Sequence, residues 1–264
     1  TEMLATWFVH DGGSTQDWRL KGHAEQAFWR WVCSWAAMVK RPSDLGYSDD
    51  GYILPPLNMH DVIVRCDDAM ARAAGKLFVD TATTLQDQRA ARRASMTARV
   101  NACADIVAKT DAPFLVWCEL NDESAAITEA LRAMGVDVVE VTGSQSLDVK
   151  EDLLSRFSEG RARALVTKQS IAGYGMNWQH AHHMAFRGVT HSFEQFYQAV
   201  RREWRFGQQH SVECYVITSD AEGAVVANLR RKESDAEKMA REMSAMTADI
   251  VRSAGTSTRR ETEP

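Results

Sequence analysis

The chain has 264 residues, 45% of them hydrophobic, and 31 Lys and Arg against 36 Asp and Glu leave a formal net charge of −5. That length and apolar content suit one large or two small globular domains and exclude a disordered chain. A pI near 5.9 excludes a uniformly basic nucleic-acid coat but leaves room for a local basic patch. In chain order, Asp11-Gly-Gly-Ser14 reads as a turn, and residues 24–39 read as a helix with Phe28, Val32, Trp35 and Val39 on one apolar face. Arg41-Pro-Ser-Asp44 ends it, because proline lacks a donor and restricts its predecessor. Ser48-Asp-Asp-Gly51 and Pro55-Pro56 break the chain again before a strand-like Val62-Ile-Val64. Alanine-rich residues 67–108, carrying Arg89, Arg92, Arg93 and Arg99, read as a long helix.

From Pro113 the pattern becomes regular. Phe114-Leu-Val-Trp-Cys118 is a buried-type strand, and Ile127, Ala130, Leu131 and Met134 recur at helix spacing until Gly135 ends the run. Strand 136–141, helix 148–157, strand 164–167, strand 184–186, helix 192–205 and strand 212–217 follow. Alternation of this kind predicts an α/β fold, a parallel sheet with helices on both faces, with ligands at the carboxyl ends of its strands. No apolar run reaches the roughly 20 residues of a membrane span, and no leader opens the chain, so a cytoplasmic protein without a membrane partner is expected. The five cysteines are scattered without a C-x-x-C pair, which fits reduced thiols.

One stretch concentrates positive charge in this acidic chain: Gln198-Ala-Val-Arg-Arg-Glu-Trp-Arg-Phe-Gly-Gln208. Placed on a helix, Gln198, Arg202 and Arg205 share a stripe, with Phe193, Tyr197, Val200 and Trp204 on nearly the opposite side and Arg201 at the margin. Such a row is either a solvated charged face or a phosphate-facing one. A second element, Thr167-Lys-Gln-Ser-Ile-Ala-Gly-Tyr-Gly-Met-Asn177, follows a strand, and Gly173 and Gly175 allow close backbone approach to a ligand.

These segments, taken with Phe114–Cys118 and Val141-Thr-Gly-Ser144, resemble in order and spacing the second RecA-like lobe of superfamily-two helicases. The resemblance is to Swi/Snf-type translocases, in their phage and prophage flavour. Gly173-x-Gly175-x-Asn177 resembles motif V. Gln198, Ala199, Arg202, Arg205, Gly207 and Gln208 resemble motif VI, with Trp204 where that family has a histidine.

The resemblance implies a P-loop NTPase second lobe over residues 109–225, preceded by a mainly helical linker or brace at 1–108 and followed by a charged helical tail at 226–264. It implies Arg202 and Arg205 as arginine fingers toward ATP with Mg²⁺, Gln198 as a nucleotide-positioning group, and Gly173, Gly175 and Asn177 in the nucleotide-binding loop. Thr142, Gly143, Thr167 and Lys168 would contact nucleic acid, expected to be DNA, through its backbone.

No G-x-x-x-x-G-K-[ST] phosphate cradle is present; Gly75-Lys76 is followed by Leu77 and has Met70 where the first glycine would stand. The chain, which starts at Thr1, is therefore expected to be the C-terminal part of an ATP-dependent helicase or translocase, paired with an N-terminal RecA-like lobe of the same parent and inactive alone. An ATP-independent nucleic-acid-binding or scaffold module is the alternative. Asn121-Asp-Glu-Ser124 reads as a helix start or a Walker B pair. His180-Ala-His-His183 lacks a nearby carboxylate or cysteine at ligand spacing, so no metal is expected, and Trp7, Trp18, Trp29, Trp31 and Trp35 read as core or as base-stacking groups. The arginines at 89, 92, 93 and 99 read as a solvated face or a DNA-lining one.

Overall fold

The computed structural model describes residues 2–10, 18–65, 95–173, 175–188 and 192–260. Cys66, Gly75-Lys76, Arg89, Arg92, Arg93 and the Asp11–Ser14 turn lie outside the described residues. The chain forms two compact units, one of Thr1–Ile53 with Glu233–Pro264 and one of Leu54–Lys232.

In the first unit, helix α1 (Glu2–Trp7) leads into strand β1 (Phe8–His10), antiparallel to β2 (Trp18–Leu20), and then helix α2 (Glu25–Val32). The helix expected to reach residue 39 ends at Val32. There the amides of Ser34 and Trp35 reach back only three residues, to Trp31 and Val32 carbonyls, and the Ser34 hydroxyl also takes the Trp31 carbonyl at 2.6 Å. That tightened turn throws Trp35 outward, 67% exposed, and Val39 with it. The aromatic residues still gather, Trp7 against Phe28 and Trp31, but of the expected apolar face only Val32 is buried. Glu25 pairs with Lys238 at 3.2 Å, and the Ser244 hydroxyl donates to the Met38 carbonyl.

The second unit is built on a six-stranded, wholly parallel sheet. Its strands are β3 (Leu57–Val64), β4 (Phe114–Cys118), β5 (Val138–Val141), β6 (Ala164–Lys168), β7 (His183–Phe186) and β8 (Val212–Ser219). Their spatial order is β3-β8-β7-β4-β6-β5. Between and after them run helices α3 (Met96–Ala108), α4 (Asn121–Ala133), α5 (Leu147–Ser158), the single turn α6 (Gln169–Ala172), α7 (Phe193–Val200) and α8 (Gly223–Arg260). Residues 57–64, placed by sequence in the segment ahead of the α/β part, are an edge strand of this sheet.

Every residue of β4 is buried because both faces of the sheet are covered. On one face Leu115, Trp117, Leu165, Met184, Phe186 and Val216 pack with Phe157, Trp178, Phe196 and Leu229. On the other, Phe114, Val116, Val166 and Ala185 pack with Val100, Cys103 and Val107 of α3 and Ile127 and Leu131 of α4. Met134, expected on the apolar stripe of α4, lies at its end and is half-exposed. The Cys103 and Cys118 thiols sit in this second core, where burial pushes Cys103 up to about 12 and Cys118 up as well. No described helix is long and apolar enough to cross a membrane.

At the carboxyl edge the core is closed by two buried ion pairs. Glu123, in the first turn of α4, accepts from the Glu119 and Leu120 amides and pairs with Arg187, which follows β7. Asn121–Ser124 is thus the start of a helix. Arg187 also donates to the Met96 carbonyl at 3.1 Å. Arg99 pairs with Glu222 at 3.2 Å with both side chains buried, so this arginine lines the core and neither solvent nor DNA. Glu222 in turn accepts from the Ser219 amide and hydroxyl at the end of β8.

Removing one member strands the other in low dielectric, which costs about 3–5 kcal/mol. Arg99→Met is therefore expected to lower the urea midpoint of the chain by that equivalent. Adding Glu222→Gln, which keeps an acceptor for Ser219 but no charge, is expected to recover part of it; equal losses from the single and double variants would contradict the pairing.

Candidate nucleotide and nucleic-acid site

The loop that leaves the carboxyl end of β6 and the turn between α7 and β8 assemble the candidate site. β6 hands over through Lys168 to the single turn α6, and Gly173 follows. A Cβ on Gly173 would stand 2.2 Å from the Gln169 carbonyl oxygen, so the chain passes this point only without a side chain. Gly175 has φ +79, which L side chains rarely adopt. Together they turn the loop so that Met176 aims its carbonyl inward and Asn177 stands exposed.

The expected helix over residues 192–205 starts as read, with the Ser192 hydroxyl capping the Gln195 amide, but ends at Val200. Residues 201–207 are a series of turns: Arg202 amide to Ala199, Glu203 amide to Val200, Arg205 amide to Glu203 and Gln208 amide to Arg205. The i, i+4 part of the expected stripe holds, since Arg202 bonds Gln198 four residues back, but with the helix ended at Val200 Arg205 joins Arg202 through the Met176 carbonyl. It accepts from Arg202 Nη1 at 2.9 Å and from Arg205 Nη1 at 3.5 Å, while Arg202 Nε and Nη2 reach the Gln198 carbonyl and side-chain oxygen at 2.9 and 3.4 Å. The motif V and motif VI elements are thus bonded to one another, and two guanidiniums stand side by side over one carbonyl.

Among the described residues neither arginine has a carboxylate partner. Burial, then the neighbouring charges of Arg205 and Arg201, press the Arg202 guanidinium below its usual range. Uncompensated charge of this kind fits a polyanion such as a triphosphate. Arg201 takes no part; it lies over Tyr197 and Trp204, 5.7 and 5.2 Å from their ring centres. Trp204, in the histidine position, donates its indole N–H to the Pro55 carbonyl at 2.7 Å, which ties the turn to the chain just ahead of β3.

The proposed nucleic-acid residues divide. Gly143 is exposed, its carbonyl taking Lys150 Nζ at 2.9 Å, and Thr142 is half-buried, with its hydroxyl 3.2 Å from that of Ser144 and its amide on Gln145. Lys168 is half-exposed at the strand end. Thr167 is fully buried and gives its hydroxyl to the Val141 carbonyl at 3.0 Å, so it braces β6 against β5 and does not meet solvent. Its place in the alternation points it into the sheet.

Two neighbours of the arginines have roles that sequence reasoning did not assign, Gln208, named there only as part of the motif VI resemblance, and Glu203. Gln208 is a staple: its Nε2 donates to the Gln179, Ala181 and Glu203 carbonyls and its Oε1 accepts from the Gln209 and His210 amides. Glu203 is fully buried. The one available signal for it is a lone acid in a run of three arginines and two aromatics.

His180 packs on Phe157, while His182 lies 4.6 Å from His183 and 4.9 Å from His210. Among the described residues no group of three or more His, Cys, Asp or Glu is placed to hold a metal ion.

Residues 98–207 match the family model described as the helicase conserved C-terminal domain. The match covers this segment of the chain alone. The chain is 24% identical over 118 residues to the probable ATP-dependent RNA helicase ddx41 of Dictyostelium discoideum, covering 45% of this chain and 17% of that protein. It therefore spans well under two thirds of that relative.

Among solved structures it resembles the C-terminal part of the Fun30 ATPase domain, with TM-score 0.51, 11% identity, and coverage of 75% of this chain and 99% of that one. It also resembles the RNA helicase Prp28 of Chaetomium thermophilum bound to ADP (TM-score 0.50, 13% identity, 69% and 37% covered). S. cerevisiae Dbp5 bound to RNA and ADP BeF3 is similar (0.51, 9%, 72% and 46%). The fold is thus that of the RecA-like C-terminal lobe of helicases.

Gln208→Ala removes five hydrogen bonds around the turn that follows α7, and stranding buried partners costs about 1–3 kcal/mol. A fall of the thermal midpoint without loss of secondary structure is expected, and an unchanged midpoint would refute the staple. A pH effect follows from the histidines. Burial, then the imidazoles of His183 and His210, hold His182 below its usual range, and burial does the same to His183 against the pull of Glu213. The folded chain then binds fewer protons than the unfolded one, so stability holds above roughly pH 6.5 and declines as pH falls below it. Replacing His182 with Asn is expected to flatten that decline in denaturation measured from about pH 7 to 5.

Proposed function

We propose that this chain is the C-terminal motor lobe of an ATP-dependent helicase or translocase, with Arg202 and Arg205 as its arginine fingers. The observation that carries the reading is the convergence of both guanidiniums on the Met176 carbonyl, with Gln198 accepting from Arg202, inside the segment that matches the helicase domain. ATP with Mg²⁺, when bound, supplies the phosphoryl group whose transfer to water drives the motor. The residues of this chain contribute fixed charge and position. Arg202 and Arg205 meet charge spread over phosphoryl oxygens, an effect worth about 10³ to 10⁵ in rate where it has been measured. Gln198 holds Arg202 through two of its nitrogens. Gly173 and Gly175 shape the loop that puts Asn177 beside the pair.

The phosphate cradle itself would come from an N-terminal RecA-like lobe of the same parent, since G-x-x-x-x-G-K-[ST] does not occur in this sequence. Thr142, Gly143 and Lys168 form the nucleic-acid surface: a strand-end hydroxyl, exposed backbone and an ammonium position a sugar-phosphate chain without reading bases. The Swi/Snf-like spacing of Gln198–Gln208 favours DNA as the track, whereas ddx41, Prp28 and Dbp5 carry RNA in their own descriptions.

The test is ATP turnover with and without single-stranded or duplex DNA, or RNA. The 264-residue chain alone is expected to show none above background. In the two-lobed parent, Arg205→Ala is expected to lower kcat at least about 10³-fold. DNA-stimulated turnover that survives this substitution would remove the arginine-finger reading, and stimulation by RNA alone would replace DNA with RNA.

A further inference from the structure

Glu203 sits between the two arginines in the chain and is fully buried, yet among the described residues neither carboxylate oxygen has a hydrogen-bond or ion-pair partner. Its backbone is the hub of the turn. The Glu203 amide donates to Val200, and its carbonyl receives both the Arg205 amide at 3.1 Å and Gln208 Nε2 at 3.2 Å. Arg202, one residue away, is itself buried and satisfies its guanidinium on Met176 and Gln198. Two adjacent buried groups of opposite formal charge thus ignore each other.

An ionised carboxylate in that position would leave its desolvation uncompensated while a guanidinium stands one residue away; a neutral carboxyl has no such penalty. Burial alone pushes Glu203 well above the usual carboxylate range, with no charged group from a packed element opposing or assisting it. On its own turn the charged groups are Arg201, held over Tyr197 and Trp204, and Arg202 and Arg205, held on Met176.

We propose that Glu203 is a positioning residue for the arginine pair, a neutral carboxyl buried within the turn that carries Arg202 and Arg205, which leaves both guanidiniums on the Met176 carbonyl. The pair then keeps its full positive field. Ionisation of Glu203 would convert the turn, giving Arg202 an internal carboxylate to approach in place of Met176 and Gln198. This rests on the reading of Arg202 and Arg205 as fingers, but the buried neutral carboxyl can be tested without it.

The first measurement uses the chain itself, with ¹³C-labelled glutamate carboxyls and ¹⁵N-labelled arginine. The Glu203 carboxyl is expected to ionise well above the usual carboxylate range, and the Arg202 Nε–H signal to step at the pH where Glu203 ionises. In Glu203→Gln the arginine step is expected to vanish. The stability effect has a fixed sign: a carboxyl raised on folding leaves stability intact below about pH 4.3 and erodes it as pH rises toward the folded value, so Glu203→Gln should lose that erosion. A Glu203 carboxyl that titrates near 4, or an Arg202 signal with no step in the unsubstituted chain, overturns the proposal.

The second measurement is the pH profile of ATP turnover in the two-lobed parent. There kcat/KM is expected to fall about tenfold per pH unit above the Glu203 ionisation. Glu203→Gln is expected to lack that limb, and its persistence in the variant would contradict the proposal. Full turnover after Arg205→Ala would instead discard the nucleotide reading and leave the titration result standing.

Discussion

The second unit depends on charge buried where it can be answered only from within. Arg187 leaves β7 at the carboxyl edge of the sheet and meets Glu123 from α4 and the Met96 carbonyl from α3. Arg99, also on α3, reaches the Arg187 carbonyl and Glu222 after β8. These contacts tie two strands, two helices and the entry to α8 at the carboxyl edge, while the turn that carries the arginine pair is bonded to the residues leading into β7 and β3. An apolar core tolerates sliding among packed elements better than ion pairs do, because a buried charge displaced from its partner has no second choice.

Much of the fold was legible because both sheet faces are buried. Strands covered on both sides read as continuous apolar runs, which is why Phe114–Cys118 and residues 164–167 and 212–217 stand out from their surroundings. Edge strand β3 was legible only in its last three residues, since Asn58, His60 and Asp61 interrupt the run; His60 and Asn58 serve Glu213 across the strand pair at 2.6 Å. The Ala24–Val39 periodicity misled because a Ser34 hydroxyl can end a helix that the apolar spacing would continue. Periodicity records which residues can share a face, and a local hydrogen bond decides whether they do.

The site was legible as a set of residues and illegible as a geometry. Gln198 and Arg202 meet at the helix spacing read from the sequence, but Arg205 joins them through a carbonyl 26 residues away from Arg202 in the chain, and helix spacing carries no information about such a partner. Gly173 and Gly175 were readable because glycine marks a steric demand, met here by the Gln169 carbonyl and by a positive φ. Thr167 and Lys168, adjacent in sequence, were grouped by the resemblance; both faces of β6 are covered up to Thr167, and only Lys168, which ends the strand, reaches the rim. Glu203 was silent because a carboxylate in a charged run looks solvated until its burial is known.

The register of β3 with β8 constrains how this molecule is made. Leu57 pairs with Val212 and Val64 with Ser219, so each β3 residue waits for a partner 155 positions later (212 − 57). On a ribosome the edge strand emerges long before anything can hydrogen-bond to it, and it remains an unpaired edge while β4 to β7 are still being synthesised. Closing so long a loop is slow, and parallel pairing offers no hairpin to shorten it. The polar interruptions in β3 that hid it from the sequence are suited to that wait: Asn58, His60 and Asp61 keep a nascent strand from finding a wrong neighbour before the right one exists.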